Sequence, residues 1–303
     1  MQINFYNTKE LSENIFEEYS KSFNQVFKQK KNINFFKKKY LNNSLKFSFH
    51  SFYIKNNKVI GACTVIPFEY DVFGTKSLLG LVVDTFILNE YRKEDPFLLL
   101  RMYKKLKNEL IKNKIIATVS VPNVNAYEYW KKIVRCKDLL RLNYYVNLNN
   151  DFSIKLSYYI NKFLFKNEIK SSKKIKIIRS KDFYSQRLFY DYKIFKNNNY
   201  QCIFTFHKEK NKKVAYLLDF FNLKSLNRDI NSLNYSMNCL KDIDTDLVMF
   251  VGKIEFKQFF LFKVPSLFEP KKLNVIIDNF EKNQKELLNF HNWDFGLLNF
   301  DVR

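Results

Sequence analysis

Between residues 77 and 112 the spacing of apolar side chains changes from every second residue to every third or fourth. The change falls inside a charged turn at 89–95. A strand over 77–88 therefore feeds directly into a helix over 97–112. Such a helix carries a single apolar stripe, which must be laid on a sheet. This unit restricts the chain to a layered fold of the α/β (α+β) class.

The flanking sequence repeats the alternation. Leu11, Ile15, Tyr19, Phe23 and Val26 form one face of a helix over 9–29, and a second helix covers 33–41. The period is two through residues 47–54. Asn56-Asn57 supplies a turn, and a return strand over 59–65 ends at Pro67. After the 97–112 helix come a strand at 115–121, a helix at 123–134 and a strand at 140–148. In the second half, strands at 201–207 and 214–220 precede a helix at 223–240 and a strand at 246–251. An apolar stretch at 256–264, a strand near 273–277, a helix at 281–290 and a last strand within 293–302 close the chain. Both halves run hairpin, helix, strand, helix, strand. The expectation is two tandem domains, 1–150 and 181–303, each a mixed twisted sheet flanked by helices, joined by a basic linker at 151–180.

Composition narrows the partners. Hydrophobic residues at 46% and aromatics at 18% exclude a disordered chain. A net charge of +22 points to an anionic partner: a nucleic acid, a membrane surface, a nucleotide or a sugar phosphate. Abundant Lys, Asn, Phe, Ile and Tyr also fit AT-rich coding, in which case much of the charge is solvated surface lysine. Arginine is scarce beside lysine, and no RNP-like or zinc-finger signature is present, which argues against base reading. No apolar run reaches the ~18 residues of a membrane span, and the start lacks a signal-peptide pattern. Cys63, Cys136, Cys202 and Cys239 are scattered, without histidines at ligand spacing. No metal site is expected, and a reduced, cytoplasmic setting is.

Three stretches, KNNKVIGACTVIPFEY (55–70), LVVDTFILNEYRKEDPFLLLRMYKKL (81–106) and ATVSVPNVNAYEYWKKI (117–133), together resemble the GNAT acyltransferase superfamily. They are particularly similar to bacterial members with two GNAT-like halves in surface-polysaccharide and sugar pathways. The resemblance implies an N-acyltransferase that takes its acyl group from acetyl-CoA. It also implies a small acceptor, an amino sugar or nucleotide-linked amino sugar. Acyl transfer needs a strand edge whose N–H can hold the thioester carbonyl oxygen, and a helix start whose N–H groups seat the pyrophosphate. By alignment Phe86, Ile87 and Leu88 would line the pantetheine, with Arg92 opening the phosphate loop. Lys93, Phe97 and Leu98 would surround the phosphates.

The loop departs from the family pattern. Arg92-Lys93-Glu94-Asp95-Pro96-Phe97 holds no glycine, Pro96 lacks an N–H, and two carboxylates stand where an anion should dock. Asp95 either opposes the phosphates or caps the helix and points away from them. Asp84 is a candidate base or a hydrogen-bonded structural carboxylate. The tyrosine that resemblance places in the helix after the fifth strand is Trp130 here, a candidate acceptor contact, and Tyr127 one turn earlier is the candidate acid. Asn123 either caps that helix or touches pantetheine. Trp293, Asp294 and Asp301 are candidates to line the acceptor. Two alternatives stand beside the acyl-CoA enzyme: an aminoacyl-tRNA-dependent transferase of the same fold, and a non-catalytic GNAT-like binding module.

Overall fold

The computed structural model describes residues 2–165, 175–187, 192–209, 211–281 and 283–300. The first elements are β1 (Gln2–Asn7), α1 (Glu13–Phe27), α2 (Ile33–Leu41), β2 (Phe49–Lys55), β3 (Lys58–Val72), β4 (Thr75–Ile87), α3 (Leu98–Lys112), β5 (Ile115–Ser120), α4 (Val124–Tyr129) and β6 (Lys137–Leu148). They are followed by α5 (Asp151–Leu164), β7 (Ile175–Ile177), α6 (Lys181–Arg187), β8 (Tyr192–Lys196), β9 (Tyr200–Glu209), β10 (Lys212–Asn222), α7 (Ile230–Asn238), β11 (Leu247–Gly252), β12 (Phe262–Lys263), β13 (Leu273–Asn279) and β14 (Trp293–Asp294).

The chain divides into two units, each assembled from separated stretches. The first comprises Met1–Leu140, Ile175–Phe189 and Asn274–Asn292; the second comprises Arg141–Lys174, Tyr190–Leu273 and Trp293–Arg303. The expected domains were consecutive stretches instead. A chain returning from a distant position to complete a sheet leaves no trace in local periodicity.

In the first unit the strand order is β1-β2-β3-β4-β5-β13, with β7 added on the far part of β3. Only the β4/β5 pair is parallel among these neighbours. The β2–β3 turn has φ of 50° at Asn56 and 60° at Asn57, the two positive values that a twisted two-residue hairpin requires. One sheet face carries α3, whose Leu98, Met102, Leu106 and Leu110 pack with Cys63, Val65, Val82 and Ile276. Each fully buried side chain of this size contributes about 1.5–3 kcal/mol. The opposite face carries α1 and α2, where Tyr19, Phe23 and Phe36 meet ring to ring, and Tyr19 stacks on Phe52.

The second unit orders its strands β6-β11-β10-β9-β8, with β12 on β6. Its β9–β10 hairpin is antiparallel, and its β10/β11 pair is parallel across α7. That is the arrangement of β3, β4, α3 and β5 in the first unit.

Several expectations are corrected. Residues 151–164 are not linker but the helix α5, capped by Asn150, whose side chain accepts the Ser153 N–H. β3 passes through Pro67 and ends at Val72. Pro67 lies beyond Val65, the last residue paired with β2, and before Tyr70, the first paired with β7, so its missing N–H falls on an unpaired edge. α7 starts only at Ile230, because Asp229 and Ser232 form a capping box there. In place of a helix at 281–290 there are short 3₁₀ turns, and the last strand is only Trp293–Asp294. β1 and β8 were not foreseen, nor was β7, which lies within the expected linker.

Candidate active site

β4 and β5 are paired only where Leu78–Leu81 run beside Ile115–Val119. β5 then ends at Ser120, while β4 continues to Ile87. From Val82 onward no strand among the described residues pairs that edge of β4. The Leu88 N–H donates to the Ile60 carbonyl at 2.9 Å, so its peptide group faces β3. Strand alternation turns the N–H and C=O of Ile87 the other way, toward the unpaired edge. Arg92 Nε donates to the Ile87 carbonyl there, at 2.9 Å. Of Phe86, Ile87 and Leu88, then, Ile87 alone presents its backbone to the opening. Phe86 and Leu88 are buried, Phe86 among Tyr19, Phe23 and Phe27.

A β-bulge sits within this unpaired stretch. Ala62 pairs with Phe86 but Thr64 pairs with Val83, so Asp84 and Thr85 together oppose Cys63. Asp84 takes φ of 49°, a left-handed value rare for a residue inside a strand. The extra residue inverts the side-chain parity: Val82 packs under α3, while Asp84 and Phe86 point to α1 and α2. Asp84 is held by two groups from α2. Lys39 Nζ lies 2.7 Å from its Oδ2, both side chains being 2% exposed, and the Tyr40 hydroxyl donates to the same oxygen at 2.5 Å. Tyr40 in turn shares a hydrogen bond with Tyr19. Burial, then the Asp84 charge, pushes the Tyr40 hydroxyl well above its usual pKa. His50 packs edge-on against the Tyr40 ring, bracketed by Thr8 and Thr64, and burial lowers its pKa to about 3. Lys39 was not singled out in the sequence. Its signal was the Phe36, Lys39, Tyr40 spacing, which sets a lysine on the inward face of α2.

Most of the N–H groups at the start of α3 are taken up by the chain's own groups. Asp95 Oδ1 accepts the Phe97 N–H at 3.0 Å, and the Asp95 carbonyl accepts that of Leu98 at 3.2 Å. The Tyr129 hydroxyl accepts the Leu100 N–H at 3.2 Å and donates to the Pro96 carbonyl at 3.0 Å. Asp95 therefore holds the turn just ahead of the N-cap residue Phe97 and is ion-paired with Arg101. Glu94 lies 3.9 Å from Lys55 and Glu90 3.9 Å from Lys58. Arg92 and Lys93 are exposed in the same turn and form no ion pair among the described residues. Phe97 is 54% exposed, whereas Leu98 is core.

The α4 candidates separate. Asn123 caps the helix, its Oδ1 accepting the Ala126 N–H at 2.9 Å. Trp130 is 2% exposed and stands edge-on to Tyr103, leaving no face for an acceptor. Tyr127 donates to Asp138 at 2.5 Å on the exposed side, and burial, then that bond, raises its pKa. Tyr129 is the residue that reaches the start of α3. Burial pushes the Cys63 and Cys136 thiols up to about 12. Among the described residues no His/Cys/Asp/Glu group could hold a metal ion, and no helix is long and apolar enough to cross a membrane.

The second unit has the same parting of strands. β10 pairs with β11 only over Val214–Leu217, with a bulge before Asp219, and then runs on to Asn222. Here residues 293–300 fill the space, with Trp293, Phe295, Leu297 and Phe300 buried and Gly296 bridged to Gly252. Arg228 ties Asp219 at 2.9 Å to Asp294 at 2.6 Å. Trp293 and Asp294 are therefore interior groups of this unit, and Asp301 lies outside the described residues.

No family model and no curated protein matches the sequence. Solved structures do match its shape. A probable N-acyltransferase from Enterococcus faecalis V583 superposes with a TM-score of 0.63 at 10% identity, over 93% of this chain and 73% of its own. A GCN5-related N-acetyltransferase from Anabaena variabilis ATCC 29413 gives 0.60 at 12%, over 92% and 73%. The N-myristoyltransferase of Saccharomyces cerevisiae, solved with bound myristoyl-CoA, gives 0.51 at 9%, over 91% and 82%. The chain has the GNAT fold. Within that fold, the edge of β4 beyond Leu81 is left without a strand partner among the described residues, with Arg92 on the Ile87 carbonyl, and the start of α3 is partly taken up by Asp95 and Tyr129.

Proposed function

We propose that the protein is an N-acyltransferase that takes an acyl group from acyl-CoA, with acetyl-CoA as the donor, and delivers it to an amine. The acceptor in this reading is an amino sugar or nucleotide-linked amino sugar. The observation that carries the proposal is the unpaired edge of β4, where the Ile87 peptide group faces the opening. Its N–H can take up the charge that develops on a thioester carbonyl oxygen as the neutral amine attacks. The amine gives its proton to solvent as the C–N bond forms, and the thiolate leaves as the C–S bond breaks. Asp84 acts by position in this scheme. Fixed between Lys39 and Tyr40, it sets the bulge that aims Ile87. The donor phosphates rest on the side chains of Arg92 and Lys93, because the N–H groups of Phe97, Leu98 and Leu100 at the start of α3 already have acceptors.

Isothermal titration with acetyl-CoA tests this, paired with release of free thiol in the presence of glucosamine. Weak binding is expected in the native chain. Asp95→Ala removes a carboxylate and uncovers the Phe97 N–H, so binding should tighten by about tenfold while stability falls by about 1 kcal/mol from the lost hydrogen bond. No heat at millimolar acetyl-CoA in either protein would overturn the proposal. The filled α3 start favours a second reading, a GNAT-fold transferase whose donor is aminoacyl-tRNA, for which +22 is suited. Steep loss of tRNA binding with salt would support it. Failure of both donors would leave a non-catalytic module.

A further inference from the structure

α5 is built inside out. Its inward face holds Ile154, Ser157 and Asn161, two of them polar, and Asn161 is fixed by bonds to Asn234 and to the Phe259 N–H. Its outward face carries Phe152, Leu156, Tyr159 and Phe163 at spacings of four, three and four, which places all four on one line. Their exposures are 77%, 42%, 68% and 85%. A surface helix ordinarily has the reverse polarity. Lys155 and Lys162 run along one flank of the line, seven residues apart and therefore in register.

A second segment of the same unit has matching chemistry. The stretch that donates the Phe259 N–H to Asn161 exposes Phe259 and Phe262, packed edge to face, then Leu267 at 85% and Phe268 at 72%. Lys257, Lys263, Lys271 and Lys272 are exposed among them.

We propose that the outward face of α5, with the basic-aromatic segment beside it, docks on the surface of an anionic lipid bilayer. An interfacial helix needs an uncharged apolar line along its length and lysines at the flank that can reach headgroups, and α5 has both. A second copy of the chain fits less well. A helix of 14 residues offers a footprint of about 21 Å by 10 Å, below the ~600 Å² that each partner of a stable interface buries. Two chains of +22 also repel each other, whereas an anionic surface attracts each of them.

The test is co-sedimentation of the full chain with vesicles of equal parts phosphatidylcholine and phosphatidylglycerol, against phosphatidylcholine alone. Binding is expected only to the anionic vesicles, weakening as salt rises. Phe152→Ser/Phe163→Ser should weaken it at least about tenfold, and Lys155→Gln/Lys162→Gln by about fivefold per lysine. Tyr159→Trp adds an emission that should shift to the blue on those vesicles, a readout that does not depend on the double variants folding. No binding to anionic vesicles overturns the proposal. So does binding that survives Phe152→Ser/Phe163→Ser unchanged, which would assign it to general surface charge. A dimer in solution that the same double variant dissolves would assign the face to a second copy.

Discussion

At the residue scale the buried charges are the sensitive points. Lys39 and Asp84 are both almost fully enclosed, so removing one partner leaves an uncompensated charge in the interior. Lys39→Met should cost about 3–5 kcal/mol in urea unfolding, and adding Asp84→Asn should recover much of that loss. His50 makes stability depend on pH. Its folded pKa of about 3 lies below its ordinary 6.5, so between those values the unfolded chain takes up a proton that the folded chain refuses. The contribution is complete above pH 6.5 and shrinks as pH falls toward 3, at up to about 1.4 kcal/mol per pH unit. Unfolding measured from pH 7 to pH 4 should show a shallower decline in His50→Asn than in the native chain. None of this was visible in the sequence beyond a lysine at an inward helical position.

At the element scale, hairpins and helix starts follow local chemistry. The Asn56-Asn57 turn was legible because few residue pairs accept two positive φ values, and Asn57→Gly should raise stability by about 0.5 kcal/mol in thermal unfolding. The strand over 77–88, the turn and the helix over 97–112 were legible within a residue or two, since both periods are strong there. The bulge at Asp84 was not, because an inserted residue changes parity without changing composition. α5 was read as linker for a related reason. Its apolar line faces outward and its inward line is partly polar, so a reading that equates apolar with buried finds no helix to bury.

At the scale of the whole molecule, the first unit depends on a strand from near the end of the chain. β13 pairs with β5, Ile276 opposite Ser120, and Asp278 receives the Tyr103 hydroxyl at 3.0 Å and Lys107 at 2.8 Å. A fragment of residues 1–150 loses that strand and exposes the edge of β5. It should aggregate or melt without a cooperative transition in calorimetry, whereas the full chain unfolds cooperatively. A sharp transition in the fragment would show that the first 150 residues suffice. The two units also share one scheme, a hairpin leading into a parallel pair that parts just before a bulge. They differ beyond the point of parting: no strand among the described residues pairs that edge of β4, while residues 293–300 fill the space beside β10.

The amino-acid sequence by itself determined the layered α/β class, the β4–turn–α3 unit, the hairpin before it and the strand and helix after it. Hydrophobic periods and turn residues act over a few positions, so they are written where they act. Only the tertiary structure decided which strand returns to β5, that Asp84 meets Lys39, that Tyr129 reaches the start of α3, and that α5 turns its apolar line outward. Each of those depends on groups distant along the chain, whose meeting is set by how the faces of many elements are covered at once.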